Sequence, residues 1–410
     1  MTSLAYAALW IFVFAVPWER LIALPGLYIV TRATGSMALG LTLLAIVISG
    51  RVRRWSIFHV MALLFVIWAA VGVWIVRGSD TPQKFYTLVQ LFLVLWMIWE
   101  LAPSAGRLRG LLTAYVLGAC VSALETLLLF HREVGNLRRF AAGGADPNSL
   151  AMTLALALPM AWFLGMTCRG RLLQWVCRGY LPLGLLAAAL TGSRGGMLAC
   201  MVALLIIPLT MTLSPGRLTA AIALLGLSGA LAVAYVPDTT VQRLATTGSS
   251  VQDVNLGGRV RLWVAGMHAF VARPGMGYGV GNFRKAITPE LGEQAQLAHN
   301  SFISVLVEEG LVGLLFFMAM LLSVFFSVRR LTGIERRFGL VLLATLGTAM
   351  LPLTWEDQKD VWFIMAALVG MSAAQISRPS GTVRQPLPRR AIPIRSPSVA
   401  ARSMERDTPA

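Results

Sequence analysis

Charge is what this sequence has least of. Only 13% of its 410 residues are charged while 57% are hydrophobic, a balance too apolar for a water-soluble domain. Cysteine is equally scarce. Cys120, Cys168, Cys177 and Cys200 all sit in or beside apolar runs with no CxxC pair, which excludes a disulfide framework and argues against zinc or any other bound metal. No Walker A sequence occurs. The one dinucleotide-like stretch, Gly277-Tyr278-Gly279-Val280-Gly281-Asn282, lacks the preceding strand and βαβ setting of a nucleotide loop and reads as a flexible turn returning the chain toward the membrane. Nothing else calls for a cofactor. The acids Asp238, Asp253, Glu290 and Glu293 form no pair of the kind that hydrolyses glycosides. The first apolar run has no basic n-region and ends Pro17-Trp18-Glu19-Arg20 without a small-x-small cleavage pattern, so it reads as a retained span.

What the chain has instead is apolar runs of membrane-crossing length or nearly so, near residues 2–18, 35–49, 56–76, 84–102, 107–130, 147–167, 174–190, 195–213, 217–236, 302–328, 338–354 and 359–376. They predict an all-α, polytopic integral membrane protein with about twelve transmembrane helices. The organisation follows: nine spans in 1–236, a polar external loop over 237–300, three spans in 301–376, and a basic tail over 377–410. The tail is rich in Arg, Pro and Ser and is expected to be disordered against anionic lipids of the inner leaflet. Basic residues cluster in alternate connections, around Arg51, Arg53 and Arg54, Arg107 and Arg109, Arg169 and Arg171, and Arg329 to Arg337. The positive-inside rule puts these in the cytoplasm, with both termini, and puts 237–300 outside. The net charge of +17 is therefore a topology signal and not a sign of nucleic acid binding.

Several polar residues stand out against this background. Arg194, in Thr191-Gly192-Ser193-Arg194-Gly195-Gly196, falls in a tight turn at the outer surface, against the positive-inside bias. It either snorkels to headgroups or meets an anion whose approach the glycines permit. Gly258 to Arg273 has helical period, with Val260, Trp263, Met267 and Phe270 or Val271 recurring, and predicts an amphipathic helix along the outer interface. Arg259 and Arg261 are about 200° apart on such a helix, so one of them faces a site, with Arg259 at the helix start, where free N–H groups favour an anion. His299 precedes a helix that Asn300 or Ser301 can cap, and a neutral imidazole can take a proton from a hydroxyl. His131 and His268 are weaker candidates. Glu308 and Glu309 lie about 13 Å further along a continuous helix, too far to pair with His299. Asp146-Pro147-Asn148 starts the sixth span, either as a cap or with Asn148 meeting substrate. Arg138 and Arg139 belong to a basic external loop that meets lipid headgroups or a phosphorylated lipid acceptor. Glu125, inside the fifth span, needs a partner.

Taken in order, Thr191-Gly192-Ser193-Arg194-Gly195, Gly258-Arg259 with Leu262-Trp263, Pro274 with Gly277-x-Gly279-x-Gly281-Asn282-Phe283, and His299-Asn300-x9-Gly310-x-x-Gly313 resemble the O-antigen ligase superfamily over the second half of the chain. Members are GT-C-type inner-membrane glycosyltransferases that use polyprenyl-diphosphate-linked glycans outside the cytoplasm. The resemblance implies a catalytic base at His299 and diphosphate-binding arginines at Arg194 and at Arg259 or Arg261. It implies an undecaprenyl-diphosphate-linked glycan donor and a lipid A-core acceptor, and it puts the active site on the periplasmic side. An O-antigen polymerase, a protein O-oligosaccharyltransferase and, from another class, a lipid-linked glycan flippase are the alternatives. The flippase predicts midplane charges and internal repeats, whereas the polar groups here gather at one membrane face.

Overall fold

The structure, a computed structural model, describes residues 1–21, 30–76, 82–133, 139–210, 219 and 258–377. Arg138, Asp238, Asp253, the predicted span near 217–236, the first part of the polar loop and the tail beyond residue 377 lie outside the described residues. No strand occurs among the described residues, as the apolar patterning predicts. The first half holds α1 (Thr2–Ala15), α2 (Val30–Ser49), α3 (Ile57–Ile75), α4 (Pro82–Leu101), α5 (Ala105–Arg132), α6 (Pro147–Thr167), α7 (Arg171–Leu190), α8 (Arg194–Leu204) and α9 (Ile206–Thr210). After the gap come α10 (Arg259–Ala272), α11 (Phe283–Leu291), α12 (Ser301–Arg330), α13 (Gly333–Met350) and α14 (Lys359–Ile376).

Eight of these helices, α2 to α7, α12 and α14, are long and apolar enough to cross a membrane. Three further predicted runs form shorter or more polar helices, in α1, in α8 with α9, and in α13. Helix α6 sits at the centre. Nearly every residue from Leu150 to Leu164 is buried, and α5, α7, α8 and α13 pack around it. Small residues set the close crossings: a Cβ on Gly196 of α8 would lie 2.3 Å from Ala151 Cβ of α6. Close backbone approach of this kind is how helices associate where lipid removes the hydrophobic drive.

The connections fall into two sets. At one end, Arg53 donates its backbone N–H to Glu100 at 3.1 Å and stacks its guanidinium 3.6 Å from the Trp99 ring. Arg109 pairs with Glu335 at 3.3 Å, and Arg337 donates to the Leu209 carbonyl at the foot of α9. This is the end rich in basic loops. The candidate polar residues collect at the other end, formed by residues 16–21, 139–146, 191–193, 273–300 and 351–358. Their helices start with side-chain caps. Asp146 Oδ1 accepts from the Ser149 N–H at 2.9 Å, Ser193 Oγ from Gly196 at 3.2 Å, and Asn300 Oδ1 from Phe302 and Ile303 at 2.9 and 3.0 Å. Each satisfies donors that a helix start otherwise leaves open.

Helix α12 departs from the continuous helix expected. At Gly310 the backbone turns to φ 67°, ψ −169°, which frees the Val307 carbonyl and the Leu311 N–H that would otherwise pair with each other. The turn before α11 takes both. The Tyr278 N–H donates to Val307 O at 3.0 Å, and Leu311 N–H donates to Pro274 O at 2.8 Å. A Cβ at Gly310 would fall 2.2 Å from Gly275 O. The glycine thus serves both the left-handed backbone and the close approach of a second chain segment.

Candidate functional site

The site is built on α10, the start of α12 and the connection between α13 and α14. Gly258, at φ 87°, opens α10 and sets Arg259 in its first turn. The buried face of α10 is Leu262, Ala265, Gly266 and Ala269, laid on Phe283 of α11 and Val307 of α12. The stripe read from periodicity is a separate one, the one expected to lie along the outer interface. Trp263 and Phe270 are only partly buried, while Met267 and Val271 are 41% and 72% exposed. The helix carries two apolar stripes, and the smaller residues are the ones that fit against a neighbouring helix. Trp263 still anchors the helix, donating from its indole to the Ala298 carbonyl at 2.8 Å.

His299 follows directly. Among the described residues it is the only non-glycine with positive φ, at 48°, a conformation that costs an ordinary side chain about 1–3 kcal/mol unless its surroundings impose it. Those surroundings are visible. Its backbone N–H donates to Thr354 Oγ1 at 3.0 Å, the next residue caps α12, and Ser301 Oγ both donates to Leu353 O and accepts from the Trp355 N–H, each at 2.9 Å. The imidazole is half-buried. Burial lowers its pKa below the ordinary value, the Arg259 cation lowers it further, and Asp146 partly offsets both. Burial likewise lowers Arg259, with Asp146 acting against it, and an arginine stays charged under any such shift. The structure thus groups His299, Arg259 and Asp146. The ring is neutral near pH 7 beside a fixed cation, which suits a proton acceptor next to an anion site.

Arg261 is exposed on the other side of α10. Arg194, half-buried in the first turn of α8, reaches the same end by a different route. A Cβ on the adjacent Gly195 would meet Pro352 at 3.0 Å, two residues before Thr354. Arg139 and Asn148 are brought together, but with each other. Arg139 donates from Nε to the Thr191 carbonyl at 2.7 Å and from Nη2 to Asn148 Oδ1 at 2.8 Å, so the pair braces the turn that carries Arg194. Asn300 is a helix cap. His268 faces Glu290 at 3.0 Å in an exposed pair, and His131 lies exposed in the last turn of α5.

Sequence reasoning missed a buried charged knot under this surface. Lys84 of α4 reaches Glu308 of α12 at 2.8 Å and Glu356 of the α13–α14 connection at 2.6 Å. The Glu308 carboxylate also accepts the N–H groups of Gly281 at 2.8 Å and Phe283 at 3.2 Å. Glu356 accepts from Ser304 Oγ at 2.7 Å. Burial raises the Glu356 carboxyl above the usual range, with Lys84 opposing. Glu308 therefore holds the glycine turn in place: Gly277, Gly279 and Gly281 all take positive φ, and the stretch read as flexible is pinned from below. The signal in the sequence was a lysine and two adjacent glutamates in apolar runs, where ionisable groups seldom occur without a partner.

The fold defines a polytopic helical membrane protein in which His299, Arg259 and Asp146 group at one end. The O-antigen ligase family model matches residues 179–318, from within α7 to just past the middle of α12, and over that stretch the chain is similar to the family. Arg194, Arg259, Arg261, His299 and Glu308 fall inside that stretch, while Lys84, Asp146 and Glu356 fall outside it. The similarity supports a function of the O-antigen ligase or polymerase type, glycosyl transfer in character. No curated protein matches the chain.

Proposed function

We propose that this protein is an inverting glycosyltransferase that ligates O-antigen glycan from undecaprenyl diphosphate onto the lipid A-core, on the periplasmic face of the inner membrane. The observation that carries the reading is the grouping of His299, on a strained backbone and with a depressed pKa, beside Arg259. A diphosphate-linked sugar is already activated, and its departing group needs charge neutralised more than it needs a proton. Arg259, with Arg194 from the start of α8 at the same end of the molecule, binds the diphosphate and stabilises the charge that grows on it. The acceptor hydroxyl attacks C1 from the face opposite the diphosphate. As the new C1–O bond forms, the old one breaks with its electron pair passing to the diphosphate, and the hydroxyl proton passes to His299. Two arginine cations supply the neutralisation that a metal would supply elsewhere, so the step is proposed to be metal-independent. Arg261, on the outer face of α10, is assigned to headgroup contact.

The test is reconstitution of the purified protein with undecaprenyl-diphosphate glycan in EDTA, with and without rough lipopolysaccharide. Glycan appearing on lipopolysaccharide supports ligation. Longer lipid-linked chains formed without the acceptor would instead identify a polymerase, and no transfer to either would overturn the reading.

A further inference from the structure

A cavity lies apart from the His299 group. It occupies about 400 Å³ between α1, α2 and α4, within the range of small-molecule sites, and its lining is divided by chemistry. One wall is apolar, with Phe12, Leu39 and Val94. The other end holds Arg20, Arg32 and Lys359 against one carboxylate, Glu19, which pairs with Lys359. That leaves two positive charges in excess beside a greasy wall, the complement of an anionic amphiphile. A smaller cavity of about 50 Å³ shares Glu19 and Arg20 with it and continues to Ala145, Ser149 and Trp355. Those residues adjoin Asp146 and Thr354, the groups around His299. The two cavities thus meet at Glu19 and Arg20, and the smaller one ends on residues next in sequence to that group.

We propose that the cavity between α1, α2 and α4 seats the acceptor, a phosphorylated glycolipid with its chains along Phe12, Leu39 and Val94 and its phosphate toward Arg20 and Arg32. The inference rests on the glycosyltransferase reading above, because a transfer between two lipid-borne molecules needs two lipid sites that converge on one base. Arg259 and Arg194 take one anion on the loop-helix side. The cavity takes the other.

The experiment reads binding without transfer, so it stands even if His299 proves not to be the base. The full-length protein in detergent is titrated with diphosphoryl lipid A, its phosphate-free counterpart, phosphatidylglycerol and undecaprenyl diphosphate, by native mass spectrometry. Arg20→Ala with Arg32→Ala is expected to weaken diphosphoryl lipid A by roughly tenfold or more, since charge-assisted contacts to phosphate are lost, and to leave undecaprenyl diphosphate unchanged. Leu39→Trp, which fills the apolar wall and keeps every charge, is expected to do the same and serves if the arginine variant fails to fold. Unchanged lipid A affinity in both variants overturns the proposal. Equal binding of phosphatidylglycerol or phosphate-free lipid A by the parent protein overturns it in favour of ordinary bilayer lipid. Parallel loss of undecaprenyl diphosphate overturns it in favour of a donor channel.

Discussion

At the scale of single residues, the proposed chemistry rests on His299 and Arg259, and their environments set the pH behaviour it predicts. The His299 pKa lies below its ordinary value because burial and the Arg259 cation both disfavour the imidazolium. A base must be neutral to act, so transfer is expected to hold through neutral pH and to fall only as pH drops below about 6.5, the unperturbed histidine value. Removing Arg259 removes one of the two effects holding the pKa down. The residual activity of Arg259→Ala should therefore lose its acid limb at higher pH than the parent, and a limb that stays put or moves lower would contradict the coupling. Arg261 offers the matching control. Exposed on the far side of α10, it is expected to lose less than about tenfold on Arg261→Ala, against roughly 10²-fold or more for Arg259→Ala, the usual cost of a lost electrostatic donor. Equal losses would show that α10 does not present a single face to the site.

At the scale of elements, the surroundings of His299 depend on a broken helix and a pinned turn. Gly310→Ala adds a methyl group 2.2 Å from Gly275 O at φ 67°. The strained φ alone costs about 1–3 kcal/mol, so a lower thermal midpoint and loss of transfer are expected. Gly347→Ala on α13, with nothing within 4 Å, should shift stability by no more than about 1 kcal/mol. If the two variants melt alike, the break at Gly310 is not a structural requirement. The Lys84 knot is tested by Lys84→Met, which leaves buried carboxylates without their cation and should cost about 3–5 kcal/mol, read as a large drop in the midpoint of thermal unfolding. A midpoint near that of the parent would show that Glu308 and Glu356 do not rely on Lys84. The spacing of Gly310 and Gly313 after His299 was legible as a motif, and its physical cause was not. The break needs a partner segment, Pro274 to Tyr278, and no local pattern reports which carbonyl will meet which N–H. The protein-facing side of α10 was not legible for a related reason. Periodicity weights large side chains such as Met267 and Val271, whereas close packing on α11 and α12 selects Gly266 and Ala269.

At the scale of the whole molecule, the alternation of helix ends sorts the connections into a basic end and a site end, as the arginine distribution anticipated. Hydropathy and charge suffice for that much because each span is read from its own residues. They do not show that α1, α2 and α4 converge to line a cavity, or that Lys84 reaches residues more than two hundred positions away, since those contacts depend on packing between helices. Sidedness is open to direct test. A cysteine introduced by Glu293→Cys, at the exposed tip after α11, should react with a membrane-impermeant maleimide in spheroplasts. One introduced by Thr332→Cys, between α12 and α13, should react only after permeabilisation. Labelling of both from the same side would contradict the topology. The most direct test of the account is the initial rate of glycan transfer to lipid A-core by reconstituted His299→Ala, with undecaprenyl diphosphate binding measured on the same preparation. Loss of transfer by about 10²- to 10⁴-fold, the range for a general base, with donor binding retained, is the predicted result. Transfer at the parent rate would contradict it.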